Sequence, residues 1–231
     1  MEIKSLGNNG LVIYLGIGIE KKVHQQVLLL RDALKKNDYI KSLIPAYNSL
    51  TLEFDHFSIS KEKLMEEIQS IQLNQLDKPQ QVQTLQIPVC YDSAFGPDLP
   101  SLAAQMELSE EELIELHCSQ TYTVYMLGFL PGFPYMGNLH EKLHCSRLAS
   151  PRNKVGAGSV GLAGEQTGIY PLDAPGGWQL IGRTPLTLFN PHAQESFLFS
   201  QGDEVRFYPI SKEEFQEIKM KGSSYQITNN G

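Results

Sequence analysis

The sequence predicts two domains of different class: a small α+β domain over residues 1–78, and a mainly β domain over residues 82–231. Three patterns predict it. Strand-like and helix-like apolar periods alternate in the first third of the chain. A glutamine-rich stretch interrupted by Pro79, QLNQLDKPQQVQT, then offers little to bury and marks a boundary near residues 76–82. Beyond Thr121 the chain turns to short apolar runs separated by glycine and proline, the pattern of a β-barrel or sandwich.

Taken in order, Leu11–Leu15 reads as the first strand. Glu20 to Asn37 reads as an amphipathic helix, with Val23, Val27, Leu30 and Leu34 at helical spacing. Ser49–Phe54 alternates, placing Leu50, Leu52 and Phe54 on one side. Ser60 is placed to cap a second helix that carries Leu64, Ile68 and Ile71. The expected order is therefore strand, helix, strand, helix. Val82–Val89 resumes an extended pattern. Ser109 and Glu112 form a capping box for an acidic helix ending near His117, and Ser211 with Glu214 caps a short C-terminal helix. Thr121–Phe129 is strand-like.

With 231 residues, 41% of them hydrophobic, the chain can build a real core. Charged residues make up 19%, too few for a disordered acidic protein. A net charge of −7 without any basic stripe argues against a nucleic-acid partner. No apolar run approaches a membrane span, and MEIKSLGNNG has no signal-peptide core. Cys90, Cys118 and Cys145 lack ligand-like spacing and read as reduced thiols of a cytoplasmic protein.

The most informative segment is GLAGEQTGIYPLDAPGGWQLIGRTPLTLF, residues 161–189. Glycine supplies backbone freedom and proline removes it. Here both are mixed with aliphatic residues that must be buried, so the segment reads as tight turns around a shaped surface. Arg183 interrupts an apolar stretch and must either be paired or face a ligand. Arg147 and Arg152 bracket Pro151; their rigid forks suit carboxylate or phosphate oxygens of a ligand, or they are surface charge or part of an internal ion pair. Gln166, Thr167 and Tyr170 offer neutral donors and acceptors suited to an amide, or to satisfying turn backbone. Trp178, after Pro175, Gly176 and Gly177, is either a core plug or a stacking platform. His117 is either a cation capping a helix C-terminus or a pocket group. His140-Glu141-Lys142-Leu143-His144 fits the zinc-protease pattern. Gly137 and Pro151 leave it room for two turns at most, so it reads as a short polar helix, and no metal is expected on this chain. No phosphate-binding loop or dinucleotide fingerprint is present.

HCSQTYTVYMLGFLPGFPYMG and SPRNKVGAGSVGLAGEQTGIYPLDAPGGWQLIGRTPLTLF together resemble the B subunit of 5-oxoprolinase, a family also known as KipI-type or allophanate hydrolase subunit 1. The likeness is specific from His117 to Phe189. The chain departs from the family pattern at Ser146-Arg147, where a proline usually precedes the arginine, and at Val155-Gly156, where proline usually follows the valine. The resemblance implies a cyclophilin-like barrel as the second domain. It implies partner subunits C and A of 5-oxoprolinase, and opening of 5-oxo-L-proline to L-glutamate with ATP as co-substrate of the complex. In that reading His117 moves a proton, and Arg152 and Arg183 hold carboxylate or phosphoryl charge. Gln166, Thr167, Tyr170, Gly176, Gly177 and Trp178 line the substrate site. The resemblance also implies two alternatives: a non-catalytic inhibitor of a sensor histidine kinase, or a carboxyltransferase component acting on urea-like amides.

Overall fold

Residues 1–73, 83–222 and 225 are described by the computed structural model. The chain divides into two compact units, Met1–Gln81 and Val82–Gly231. The boundary expected at residues 76–82 lies outside the described residues.

In the first unit, alternation at Leu50, Leu52 and Phe54 does what the pattern predicts: all three side chains are buried on one face of a strand. The elements are β1 (Glu2–Leu6), β2 (Gly10–Tyr14), α1 (Lys21–Leu34), β3 (Ile40–Pro45), β4 (Ser49–Phe54) and α2 (Lys61–Ser70). The strands form an antiparallel sheet in the order β1-β2-β4-β3. Val27, Leu30 and Leu34 of α1 and Leu64 and Ile68 of α2 share one core with Leu11, Ile13, Leu50, Leu52 and Phe54. Ser60 caps α2 by accepting from the Lys63 amide at 3.3 Å. Two strands go beyond the order the sequence predicts. In β1 only Ile3 turns inward, so this edge strand carries no burial signal. In β3 a bulge between Ile40 and Ser42 places Ile40 and Leu43 on the same core at a spacing of three, which hides the strand period of two.

The second unit comprises β5 (Thr84–Val89), α3 (Leu99–Gln105), α4 (Glu110–Ser119), β6 (Tyr122–Leu127), β7 (Pro134–Gly137), β8 (Arg152–Val155), β9 (Ser159–Ala163), β10 (Gln166–Ile169), β11 (Ala174–Gly176), β12 (Gln179–Arg183), β13 (Glu204–Pro209) and α5 (Lys212–Lys221). Both expected capping boxes are present, on α4 and on α5. Helix α3 has no sequence signature; its seven residues include Pro100 and too few polar positions to define a period. Seven strands form one mixed sheet in the order β12-β9-β10-β7-β6-β13-β5, with β13 and β5 parallel. A two-bond bridge joins the outer edges: Cys90 and Arg183 exchange backbone hydrogen bonds of 2.8 and 2.9 Å. Of the barrel and the sandwich, the chain therefore builds a nearly closed barrel. Its interior is filled by Leu85, Ile87, Val124, Met136, Val160, Leu162, Ile169, Ile181, Val205 and Phe207, among others.

A second apolar cluster lies on the outer face of β9 and β10, where Phe133, Val155, Ala163, Tyr170, Trp178 and Leu180 pack together. Gly168 makes this possible. A Cβ there would sit 2.9 Å from the Trp178 ring and 3.0 Å from Phe133. Beside the barrel, β8 and β11 pair as a two-stranded ribbon.

Candidate functional site

His117 belongs to the last turn of α4, four residues after Leu113, so both face the core. Its ring is fully buried and stacks on Phe207 at 4.5 Å. Nδ1 lies 2.7 Å from the Tyr91 hydroxyl and Nε2 lies 3.0 Å from Thr167 Oγ1. Thr167 in turn donates to the Gly161 carbonyl at 3.2 Å. A carbonyl only accepts, so the threonine proton is committed there and its oxygen accepts from Nε2–H. Nδ1 is then the acceptor for Tyr91. The result is a directed chain, Tyr91 to His117 to Thr167 to Gly161, running through the barrel interior. Burial holds the imidazole neutral, pushing its pKa down to about 3. It is therefore not a cationic helix cap. The Cys118 thiol does not point at His117; its Sγ meets Tyr91 Oη at 3.4 Å.

Inward-facing Thr167 puts its neighbour Gln166 on the outer face of β10, half-buried. Several other predicted residues gather on that side of the barrel. Trp178 is 5% exposed and plugs the outer cluster, edge-on to Phe133 at 5.3 Å. Tyr170 is buried beside it, and a Cβ on Gly176 would collide with the Tyr170 hydroxyl. Gly177 is not sterically required, since an added Cβ would meet Pro151 at an ordinary 3.6 Å; its carbonyl accepts from the Leu148 amide at 2.7 Å. The Arg147 guanidinium lies 6.0 Å over the Trp178 ring. Burial raises the Tyr135 and Tyr170 hydroxyl pKa values, and Arg147 partly opposes this in both.

Arg152, at the start of β8, is half-buried. One Nη donates to the Asp98 carboxylate and the other to the Trp178 carbonyl at 3.4 Å. Arg183 stands apart. Its Nε donates to the Ala157 carbonyl at 2.7 Å, and its guanidinium packs over Gly156. The two guanidinium groups hold different partners, Asp98 and the Trp178 carbonyl for Arg152 and the Ala157 carbonyl for Arg183. Arg183 is thus paired at one of its five donors, and its backbone also closes the barrel.

The nine predicted residues therefore fall into three groups. His117 and Thr167 are inside the barrel, Arg183 is at the closing bridge, and Arg152, Gln166, Tyr170, Gly176, Gly177 and Trp178 are on the outer face. Sequence reasoning missed Asp98 and Tyr91. Asp98 did carry a signal: it is the one charge between Asp92 and Glu107, in an apolar run rich in proline. By the argument applied to Arg183, it had to be paired. Tyr91 carried none.

The zinc-protease pattern does not form a helix of two turns. Glu141–Leu143 is a single 3-10 turn, with His140 receiving the Lys142 amide at 3.3 Å and His144 meeting the Leu139 carbonyl at 3.2 Å. Among the described residues no three His, Cys, Asp or Glu side chains are grouped to hold a metal ion. Among the described residues no helix is long and apolar enough to cross a membrane.

Residues 1–199 match the family described as carboxyltransferase domain, subdomain C and D. The chain is 37% identical to the 5-oxoprolinase B subunit of Bacillus subtilis, covering 94% of this chain and 96% of that protein. It is 36% identical to the Haemophilus influenzae protein of the same name, over 90% and 97%. The chain belongs to the family of 5-oxoprolinase B subunits. Among solved structures, TTHA0988 superposes with a TM-score of 0.78 at 36% identity over 87% of this chain. This chain spans 40% of the TTHA0988 chain. The urea amidolyase of K. lactis has the same fold, with a TM-score of 0.79 at 17% identity, over 99% of this chain and 16% of that one.

Proposed function

We propose that this chain is the B component of an ATP-dependent 5-oxoprolinase, converting 5-oxo-L-proline to L-glutamate in the cytoplasm together with subunits A and C. The observation that carries the reading is the near end-to-end match to proteins named as 5-oxoprolinase B subunits. The seven-stranded closure supports a cyclophilin-like second domain.

The chemistry needs an electrophile better than a lactam. Transfer of the ATP γ-phosphoryl group to the lactam oxygen supplies it. Water then attacks the activated carbon, the C–N bond breaks to give γ-glutamyl phosphate and the free amine, and a second water hydrolyses that acyl phosphate to glutamate and phosphate. Two anions must be held, the substrate carboxylate and the transferring phosphoryl group. Arg152 and Arg183 are held by different partners and take different roles. Arg152 takes the carboxylate, and Gln166, on the outer face of β10, reads the amide. Arg183 takes the phosphoryl charge. His117 and Thr167 act from inside: both imidazole nitrogens are engaged, and the chain they form fixes the strand that presents Gln166.

Purified subunits A and C with this chain are expected to release glutamate from 5-oxoproline only when ATP is present. Full turnover without this chain defeats the proposal. The carboxyltransferase family match favours one other reading, action on a urea-like amide. Consumption of urea in place of 5-oxoproline by the same complex selects it.

A further inference from the structure

We propose that Asp98 is the positioning residue that aims Arg152 at the substrate carboxylate, an inference that rests on the 5-oxoprolinase reading. Asp98 precedes α3, the place where an aspartate ordinarily caps its own helix by accepting from the second or third amide. It makes no such bond. Its carboxylate is turned the other way and is spent on the barrel. One oxygen accepts from the Leu180 amide at 2.6 Å and the other holds Arg152. The Asp98 amide also donates to the Leu180 carbonyl at 3.0 Å, so Asp98 is tied to β12 through both its backbone and its side chain. The residue is 8% exposed. A buried carboxylate locked to the backbone at one oxygen is a rigid anchor for whatever its other oxygen binds. A carboxylate that sacrifices its cap to do so is placed for that partner. Arg152 is gripped at one Nη by Asp98 and at the other by the Trp178 carbonyl. A guanidinium has five N–H donors, so three remain for a ligand, with their plane fixed before it arrives.

The test uses the assembled complex with D98N in this chain. The amide keeps an oxygen for the Leu180 N–H and removes the charge facing Arg152. Expected is a rise of about tenfold in KM for 5-oxoproline with kcat and melting temperature near wild type. R152K raises KM similarly, and the D98N/R152K double variant is no worse than R152K. A wild-type KM in D98N, or effects that multiply in the double variant, overturns the proposal. D98E keeps the charge but displaces it, and gives an intermediate KM even if D98N assembles poorly. A second readout needs no turnover: arginine labelling by phenylglyoxal, mapped by mass spectrometry, proceeds severalfold faster at Arg152 in D98N. An unchanged labelling rate refutes the clamp. If labelling responds while the wild-type complex releases no glutamate, the 5-oxoprolinase reading has failed and the clamp has not.

Discussion

Replacing His117 by phenylalanine tests the interior hydrogen-bond chain through its pH dependence. In the folded chain burial lowers the His117 pKa to about 3, against 6.5 for the ordinary group. The unfolded chain therefore takes up a proton as pH falls through 6.5, and the folded chain does not until near 3. Unfolding is favoured progressively across that window, and the group has no effect on stability much above pH 7. At pH 4 the difference is about 2.5 pH units, or about 3 kcal/mol at ~1.36 kcal/mol per unit. Wild-type stability falls by that amount between pH 7 and pH 4 from His117 alone. H117F keeps the stacking on Phe207 but cannot titrate. It also leaves the Tyr91 hydroxyl without its acceptor, costing about 1–3 kcal/mol at pH 7. The variant thus starts lower and descends less steeply, so the two curves converge as pH falls. Urea unfolding at pH 7, 6, 5 and 4 reads this directly. The emission of Trp178, the sole tryptophan, reports on the second unit. His24 is also buried with a lowered pKa, but it is common to both proteins and cancels in the comparison. Parallel pH dependences in wild type and H117F would refute the assignment of a neutral, proton-excluding imidazole.

Three further outcomes follow from the geometry. Y91F removes the donor to His117 Nδ1 and leaves that nitrogen buried and unpaired, lowering stability by about 1–3 kcal/mol, measured by the same unfolding assay. G168A drives a methyl group into Trp178, Phe133 and the Pro134 carbonyl, costing about 1–3 kcal/mol and shifting the Trp178 emission to longer wavelength. R183L keeps the side-chain stem and the closing backbone bridge but removes the guanidinium. Its stability drops by no more than about 1.5 kcal/mol, for one lost hydrogen bond, while glutamate release by the complex falls at least tenfold; full activity in R183L would remove Arg183 from the reaction.

Local chemistry was legible wherever the cause lies within a few residues. The capping boxes at Ser109 and Ser211 join neighbours three apart, and the face formed by Leu50, Leu52 and Phe54 needs only strand alternation. Strand β3 was lost because its bulge breaks that period, and β1 because an exposed edge needs no apolar face. The family resemblance was equally readable, because it rests on ordered strings of residues.

What the sequence determined alone was the residue inventory of the candidate site: guanidinium groups, an amide-bearing Gln166 and the sole tryptophan set among glycines and prolines. Tertiary structure decided which of them meet. Thr167 and Gln166 are adjacent, yet the strand sends one to His117 and the other to the outer face. Arg152 and Asp98 are 54 positions apart and form an ion pair. Arg183 meets Cys90 only because a seven-stranded sheet curls until its edges touch. Such partnerships depend on strand order and barrel closure, which arise from the packing of the whole core.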